Sequence, residues 1–276
     1  MHAPARPPIP VETLLLAYRS GIFPMADRRE DTEVFWVEPR ERAIIPLDGL
    51  HLSKSLRKVL RTDRFTVTIN RAFEQVIRSC AAPRDDHPET WISERIVQSY
   101  FALHRAGHAH SVECWMPDEG GALRLVGGLY GVSFDRVFCG ESMFSRVPDA
   151  SKVALAWLVA ILRDAGFVLL DCQFMTDHLR TMGAVDLPQA DYRRLVDSAH
   201  GQPRRSLGMA WQGFVRDYAP AGAAGAGAGA AAGDGVAAGA GLADGAGAGL
   251  PAGSLAGAAE PSSPGKRIVQ SLTQTS

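Results

Sequence analysis

The sequence predicts a mixed α/β fold in which one sheet is crossed by helices. Three observations predict it. Between residues 111 and 139 lie three apolar, strand-like runs separated by turn residues. A nearly all-apolar helical stretch follows over residues 152–165 and stops at Gly166, a suitable C-terminal cap. After it, Phe167, Val168, Leu169 and Leu170 form the kind of short apolar run that a buried parallel strand needs. Three strands, a helix and a further strand make an α/β crossover on a mixed sheet.

The elements before the crossover follow from local pattern. Val11, Leu14, Leu15 and Tyr18 share one helical face, and Gly21 ends that helix. Residues 21–25 read as a turn with exposed apolar side chains, and residues 34–37 as a short strand stopped by Glu38-Pro39. Ser53 is placed to cap a helix over residues 54–61, with Leu56, Val59 and Leu60 as its apolar stripe. Residues 65–69 alternate as a half-buried strand, and Asn70 is read as the cap of a helix carrying Phe73, Val76 and Ile77. A further helix covers residues 92–106 and ends at Gly107. Gly127-Gly128 interrupts the strand over 123–134, which predicts a bulge or a close backbone approach. Ser151 is read as the cap of the long apolar helix, and residues 177–182 and 192–198 as short helical pieces. The expected organisation is a small N-terminal domain over 1–64, a catalytic domain over 65–218, and a tail over 219–276 with no fold. From 219 to 259, 32 of 41 residues are Ala or Gly, too little side chain to offset the ordering cost of the glycines.

Bulk properties narrow the function classes. The formal net charge is −1, which argues against a non-specific nucleic-acid coat while leaving room for a local basic patch. Cys80, Cys114, Cys139 and Cys172 are far apart and form no CxxC, so free thiols are expected rather than a disulfide or zinc site. No signal peptide and no membrane span is evident, so a cytoplasmic protein with no membrane partner is expected. His104, His108 and His110 cluster, but Gly107 breaks the helix between them and no further ligand falls at a standard spacing; no metal is expected.

The chemistry-bearing candidates sit at strand ends. Asp171 follows the apolar run 167–170, where open α/β sheets bind ligands in the crevice; a carboxylate capping the following turn is the alternative. Gln173, two residues on, faces the same way on an extended chain, so acid and amide together can meet an incoming amine. Glu141 follows Cys139-Gly140 just past an aromatic-rich strand, with Met143 and Phe144 beside it as pocket lining or core. Trp36, Trp91, Trp115 and Tyr130 are aromatics able to stack on a base at a pocket mouth, although packing is the commoner role. Cys172 is expected to point away from the 171/173 side and to be buried rather than nucleophilic. Lys54, Arg57, Lys58, Arg61 and Arg64 make the densest basic patch; it suits phosphate contacts, and a solvated helix face is the alternative. No GxSxG, Walker or dinucleotide motif is present.

These motifs, Gly21-Ile22-Phe23-Pro24, Thr90-Trp91-Ile92, residues 107–115, residues 125–131, residues 138–146, Ser151-Lys152 and Asp171-Cys172-Gln173, occur in an order that resembles the bacterial leucyl/phenylalanyl-tRNA–protein transferases. The resemblance spans roughly residues 10–200. It implies a catalytic domain like that of the GCN5-related N-acetyltransferases and a small N-terminal domain. It also implies transfer of Leu or Phe from charged tRNA to the N-terminal Arg or Lys of proteins, marking them for N-end rule degradation. It makes Asp171 and Gln173 the catalytic pair and puts Glu141 in the active site. Met143 and Phe144 fall near the pocket for the aminoacyl side chain, and Trp36 matches a tryptophan near the terminal adenosine. Met25 stands where relatives often carry Trp.

An aminoacyl ester is already activated, so no cofactor is expected; attack by an α-amine needs mainly alignment. Gln173 is expected to hydrogen-bond the amine while Asp171 polarises or orients it; whether Gln173, with Asp171 close behind, or Asp171 itself takes the amine proton is left open by the sequence. Glu141 is expected to pair with the cationic side chain of the acceptor residue. The basic helix is expected on the tRNA acceptor stem, and the working form is expected to be a monomer. The rivals are an acyl-CoA-dependent acyltransferase, for which no pyrophosphate loop is found, and a tRNA-binding module, which leaves Asp171, Gln173 and Glu141 without a task.

Overall fold

The computed structural model describes residues 6–83, 89–216 and 262–274. The chain divides into two units, residues 1–216 with 263–276, and residues 217–262; the first is described here. The stretch from 219 to 261 expected to lack a fold lies outside the described residues.

In chain order the elements are α1 (Val11–Arg19), β1 (Phe23–Met25), β2 (Phe35–Val37), β3 (Glu41–Ile45), α2 (Lys54–Arg61), β4 (Thr66–Ile69), α3 (Phe73–Cys80), α4 (Glu94–Arg105), β5 (Ala109–Pro117), β6 (Leu123–Phe134), β7 (Val137–Ser145), α5 (Ala150–Ala165), β8 (Leu169–Gln173), α6 (Asp177–Thr181), β9 (Val185–Pro188), α7 (Gln189–Ser198), α8 (Leu207–Val215) and α9 (Pro264–Thr273). Seven strands form one sheet in the order β4-β5-β6-β7-β8-β3-β9, and β1 pairs with β2 in a separate ribbon. Among the described residues every strand pairing is antiparallel except β7 with β8, which α5 connects as a crossover. The mixed α/β expectation therefore holds.

The sheet has a core on each face. On one, α5 buries Val153, Leu155, Trp157, Leu158 and Ile161 against β5–β7, with Leu56 and Leu60 of α2, Leu207 of α8 and Ile268 of α9 beside them. On the other, Leu14 and Tyr18 of α1 join Val76 and Ile77 of α3, Ile96 and Tyr100 of α4 and Tyr192 of α7. Covered by the sheet on one side and by α2, α8 and α9 on the others, α5 is apolar nearly all round, as its sequence reads.

Several local expectations need correction. Residues 23–25 are a strand, not only a turn, because β2 supplies their ladder. β3 lies between β8 and β9, so an N-terminal domain ending at residue 64 cuts through the large sheet. Asn70 (φ 58°) does not cap α3; its side chain accepts from the Ser111 N–H, and the Ala72 N–H at the helix start goes to Glu113 Oε1 instead. Asp149, not Ser151, occupies the N-cap of α5, and it makes no side-chain cap bond. Gly127-Gly128 does not end β6, but the expected bulge is there: the β5–β6 register shifts between Cys114↔Gly127 and Trp115↔Leu125. A Cβ at Gly128 would stand 2.6 Å from the Val112 carbonyl oxygen, so the glycines mark a close backbone approach.

The C-terminal end of the supposed tail is folded. Pro264–Thr273 is a helix that buries Ile268 and Val269 against α2, α5 and α8. The Gly265 N–H bonds Asp63 Oδ1 at 2.7 Å, and a Cβ there would strike the Leu60 carbonyl. Burying two β-branched apolar side chains stabilises by about 3–6 kcal/mol, enough to order a short helix that composition alone leaves unsupported.

Candidate active site

The site forms where the parallel ladder opens. β7 and β8 pair at Val137↔Leu169, Phe138↔Leu170 and Cys139↔Asp171, and the ladder ends there. Two residues further along each strand stand Glu141 and Gln173, and Gln173 Nε2 donates to Glu141 Oε1 at 2.8 Å. They line a cavity of about 600 Å³ that also exposes Met143, Phe144, Tyr130, Trp91, Leu155 and Leu158. This is the size and the apolar character, with few convergent polar groups, of a small-ligand site.

Glu141 is held on three sides. Oε1 also accepts from the Tyr18 hydroxyl at 2.7 Å, Oε2 accepts from Tyr100 at 3.0 Å, and the two tyrosine hydroxyls are in contact, one of them sharing its proton between Glu141 and the other. Burial pushes the carboxyl up to about 7; the bonds from Tyr18, Gln173 and Tyr100 oppose that rise, and the charge of Asp171 adds to it. Burial, then Glu141, raises both tyrosine hydroxyls well above their ordinary value, so they stay protonated and act as donors. With both oxygens engaged and the residue 9 % exposed, Glu141 is not held out toward a long cationic side chain as expected from sequence.

Asp171 does not line the cavity, which corrects the expectation that it projects there. It is fully buried and faces Arg42, equally buried: Arg42 Nε and Nη2 donate to its two oxygens at 2.9 and 2.6 Å. Tyr192 adds a bond to Oδ2 at 3.2 Å. Burial would lower the Arg42 guanidinium, but Asp171 outweighs it and holds the guanidinium above its ordinary value. The remaining geometry explains why side chains 171 and 173 do not face the same way. Gln173 sits at φ 64°, a left-handed conformation uncommon for a side-chain-bearing residue, and its N–H donates to Asp171 Oδ1 at 2.8 Å. That Asx-type turn breaks the period-two alternation, so Cys172 and Gln173 both line the cavity while Asp171 lies behind it. The Cys172 thiol is raised by burial first and then by Asp171, which keeps it protonated and unreactive.

The other candidates divide clearly. Met143, Phe144 and Tyr130 line the cavity. Trp36 is 40 % exposed on β2 and Trp115 is buried with Nε1 donating to Thr68 at 2.8 Å; neither lines the cavity, and Trp91 does. Met25, two residues past the Phe23 that packs on Arg42, is also in the lining. Lys54, Lys58, Arg61 and Arg64 are exposed, Arg57 is half-buried with Nε on the Leu52 carbonyl, and none of the five lines the cavity. His104 stacks on Phe73 and His110 bonds Asn70 and Ser133. Among the described residues no cluster of His, Cys, Asp or Glu is suited to a metal ion, and no helix is long and apolar enough to cross a membrane.

Four side chains that hold Glu141 and Asp171 were not visible as such in the sequence: Arg42, Tyr18, Tyr100 and Tyr192. Tyr18 and Tyr100 fit the apolar stripes of their helices, and only tertiary structure shows their hydroxyls meeting Glu141. Arg42 gave one signal, a charge directly before the apolar run Ala43-Ile44-Ile45. His178, which lines the cavity with a buried, unpartnered Nε2, is a further polar group there.

Comparison with known proteins is specific. The family model "Leucyl/phenylalanyl-tRNA protein transferase" matches residues 44–197, and the model of that transferase's N-terminal domain matches residues 8–40. The leucyl/phenylalanyl-tRNA–protein transferase of Novosphingobium aromaticivorans is 58 % identical over 271 residues, covering 97 % of each chain. The one from Zymomonas mobilis is 56 % identical over 186 residues, 67 % of this chain and 68 % of its own. That of Rhizorhabdus wittichii is 57 % identical over 190 residues, 69 % of this chain and 75 % of its own. Among solved structures, FemX is similar over 58 % of this chain and 65 % of its own, with 11 % identity and a TM-score of 0.42.

Proposed function

The chain belongs to the leucyl/phenylalanyl-tRNA–protein transferase family, and from that premise we propose that it moves leucine or phenylalanine from charged tRNA to the N-terminal Arg or Lys of a protein, marking the product for N-end rule degradation. The observation that carries the mechanism is the Glu141–Gln173 contact at the wall of an apolar cavity.

The acceptor's α-amine attacks the ester carbonyl carbon, a C–N bond forms, and the C–O bond to the terminal ribose breaks. The amine must lose a proton and the ribose oxygen must gain one. An α-amine titrates near 8, so a base near 7 is matched to the task. Glu141 meets that requirement: it receives the proton from the attacking nitrogen and returns it to the leaving oxygen. Gln173, with Nε2 turned to Glu141, offers its carbonyl Oε1 to the amine and aligns it. Asp171 acts behind the site by holding the backbone of Gln173. Of the two schemes left open by the sequence, support of Gln173 by Asp171 gains ground, and proton uptake by Asp171 loses it, because Asp171 does not line the cavity and its carboxylate is ion-paired to Arg42.

The aminoacyl side chain lies in the apolar part of the cavity, against Met143, Phe144, Leu155 and Leu158. The exposed Lys54, Lys58, Arg61 and Arg64, with Arg57, serve the acceptor stem as phosphate contacts. Trp36 and Trp91 are the aromatics available to the terminal adenosine, one exposed and one in the cavity wall; Trp115 is committed to Thr68. We read the catalytic domain as acetyltransferase-like, which the β4–α3–α4–β5–β6–β7–α5–β8 order with its single parallel pair supports. Its boundary with the N-terminal domain is best set between residues 40 and 44, where the two family matches meet and β3 enters the large sheet. The cavity is complete within one chain, which supports a monomer, and both substrates are cytoplasmic species.

The test is direct. Purified protein, labelled Leu-tRNA and a peptide starting with Arg should yield labelled peptide, whereas acetyl-CoA in a parallel reaction should yield none. Acetylation without aminoacyl transfer would overturn the reading.

A further inference from the structure

Among the described residues Arg42 is the only buried cation, and its guanidinium is a junction. Two nitrogens hold Asp171, the third donates to the Gly21 carbonyl at 3.0 Å, and the plane lies 4.8 Å from the ring centre of Phe23 and 4.5 Å from that of Tyr192. Five segments therefore meet on one side chain: β3, the turn after α1, β1, β8 and α7. A buried ion pair is a weak source of stability, because an apolar pair of similar volume usually serves as well. What an apolar pair cannot supply is a fixed carboxylate oxygen for the Gln173 N–H.

We propose that Arg42 is a positioning residue of the transfer reaction: by clamping Asp171 it fixes the left-handed turn at Gln173 and so aims the amide at Glu141 and the incoming amine. This rests on the function proposed above. The chain of contacts is continuous, Arg42 to Asp171 Oδ1, Oδ1 to the Gln173 N–H, and Gln173 Nε2 to Glu141. Arg42 touches neither the cavity nor Glu141. A lysine at 42 cannot reproduce the effect, since one ammonium lacks the planar fork that engages both Asp171 oxygens and the Gly21 carbonyl together.

The experiment measures kcat and KM for Leu-tRNA, the pH–rate profile and the melting curve for the wild type, Arg42→Lys, Asp171→Asn and their double variant, with rates expressed per folded molecule. Arg42→Met combined with Asp171→Leu keeps the interior filled if the single changes fail to fold. The expected result is a kcat at least about tenfold lower in Arg42→Lys with KM within about twofold, and a double variant no worse than the poorer single. The groups facing Glu141 are Tyr18, Tyr100, Gln173 and, behind them, Asp171; Tyr130 and Cys139 are also near, and burial keeps both protonated. Loss of the Gln173 bond alone therefore moves the acidic limb of the profile to higher pH, a change that mere loss of folded protein does not produce. The apolar pair is expected to fold and to be slow. Wild-type kcat with an unmoved limb in Arg42→Lys, additive losses in the double variant, or an active apolar pair would each overturn Arg42's role while leaving the transferase function standing. A wild type that transfers nothing overturns that function and the role with it.

Discussion

Gln173 Nε2 and Glu141 Oε1 stand 2.8 Å apart across the point where β7 and β8 cease to pair. A parallel pair that separates leaves a gap between two strands fixed on their outer sides, β7 by β6 and β8 by β3. The two side chains at the gap are thus held by rigid elements rather than by loops, which is what a base and its partner need to stay in register with a substrate.

The tyrosine hydroxyls set the base. Replacing Tyr100 or Tyr18 with Phe removes a donor to the Glu141 carboxylate, so its protonated form gains. The acidic limb of the kcat–pH profile is expected to move up by about one unit in either variant. A limb that stays in place contradicts the assignment of that limb to Glu141.

The same residue links pH to stability. Its carboxyl is raised in the folded protein to about 7, against about 4.3 in an unfolded chain. The folded state therefore keeps a proton that the unfolded chain releases. The stabilising contribution is complete below about pH 4.3 and is lost as pH rises through 7. Relative to Glu141→Gln, the wild type should lose on the order of 3 kcal/mol between pH 4 and pH 8, read from denaturant midpoints. Parallel pH curves for the two proteins would show that Glu141 titrates normally.

The apolar lining sets which amino acid enters. Met143→Trp narrows the cavity from a half-buried position in its wall. Phe transfer is expected to fall more than Leu transfer, by about 10- to 200-fold in the ratio of kcat/KM values, measured with the two charged tRNAs in competition. An unchanged ratio places the aminoacyl side chain elsewhere.

The exposed face of α2 is assigned to phosphates. Removing Lys54, Lys58 and Arg61 together should weaken tRNA binding at low salt and flatten its salt dependence by about 0.7–0.9 per lost contact on a log–log plot. A slope equal to the wild type's identifies the patch as a solvated face.

Much of this was legible in the sequence because local and global preference agree there. The crossover, α5 and the Ser53-capped α2 combine strong periodicity with clear stops, and the structure keeps the bounds of α2 and the stop of α5 at Gly166. β3 and β9 were missed because each is short and draws its pairing from strands far away in the chain. α9 was missed because its stability is tertiary, from Ile268 and Val269 against a surface made elsewhere. At the site, strand-end position found Glu141 and Gln173, but alternation misdirected Asp171 and Cys172. The left-handed turn at Gln173 that reverses them depends on Asp171 and Arg42, residues 129 apart in the chain.

The most direct measurement is single-turnover transfer from Leu-tRNA to an Arg-started peptide by the wild type and by Glu141→Gln between pH 5.5 and 9, a range set to span roughly the Glu141 and α-amine titrations. The wild-type rate should rise with a limb centred near 7, and Glu141→Gln should lack that limb and run about 10²- to 10⁴-fold slower while still binding charged tRNA. A Glu141→Gln protein that transfers at the wild-type rate with the same limb contradicts the account.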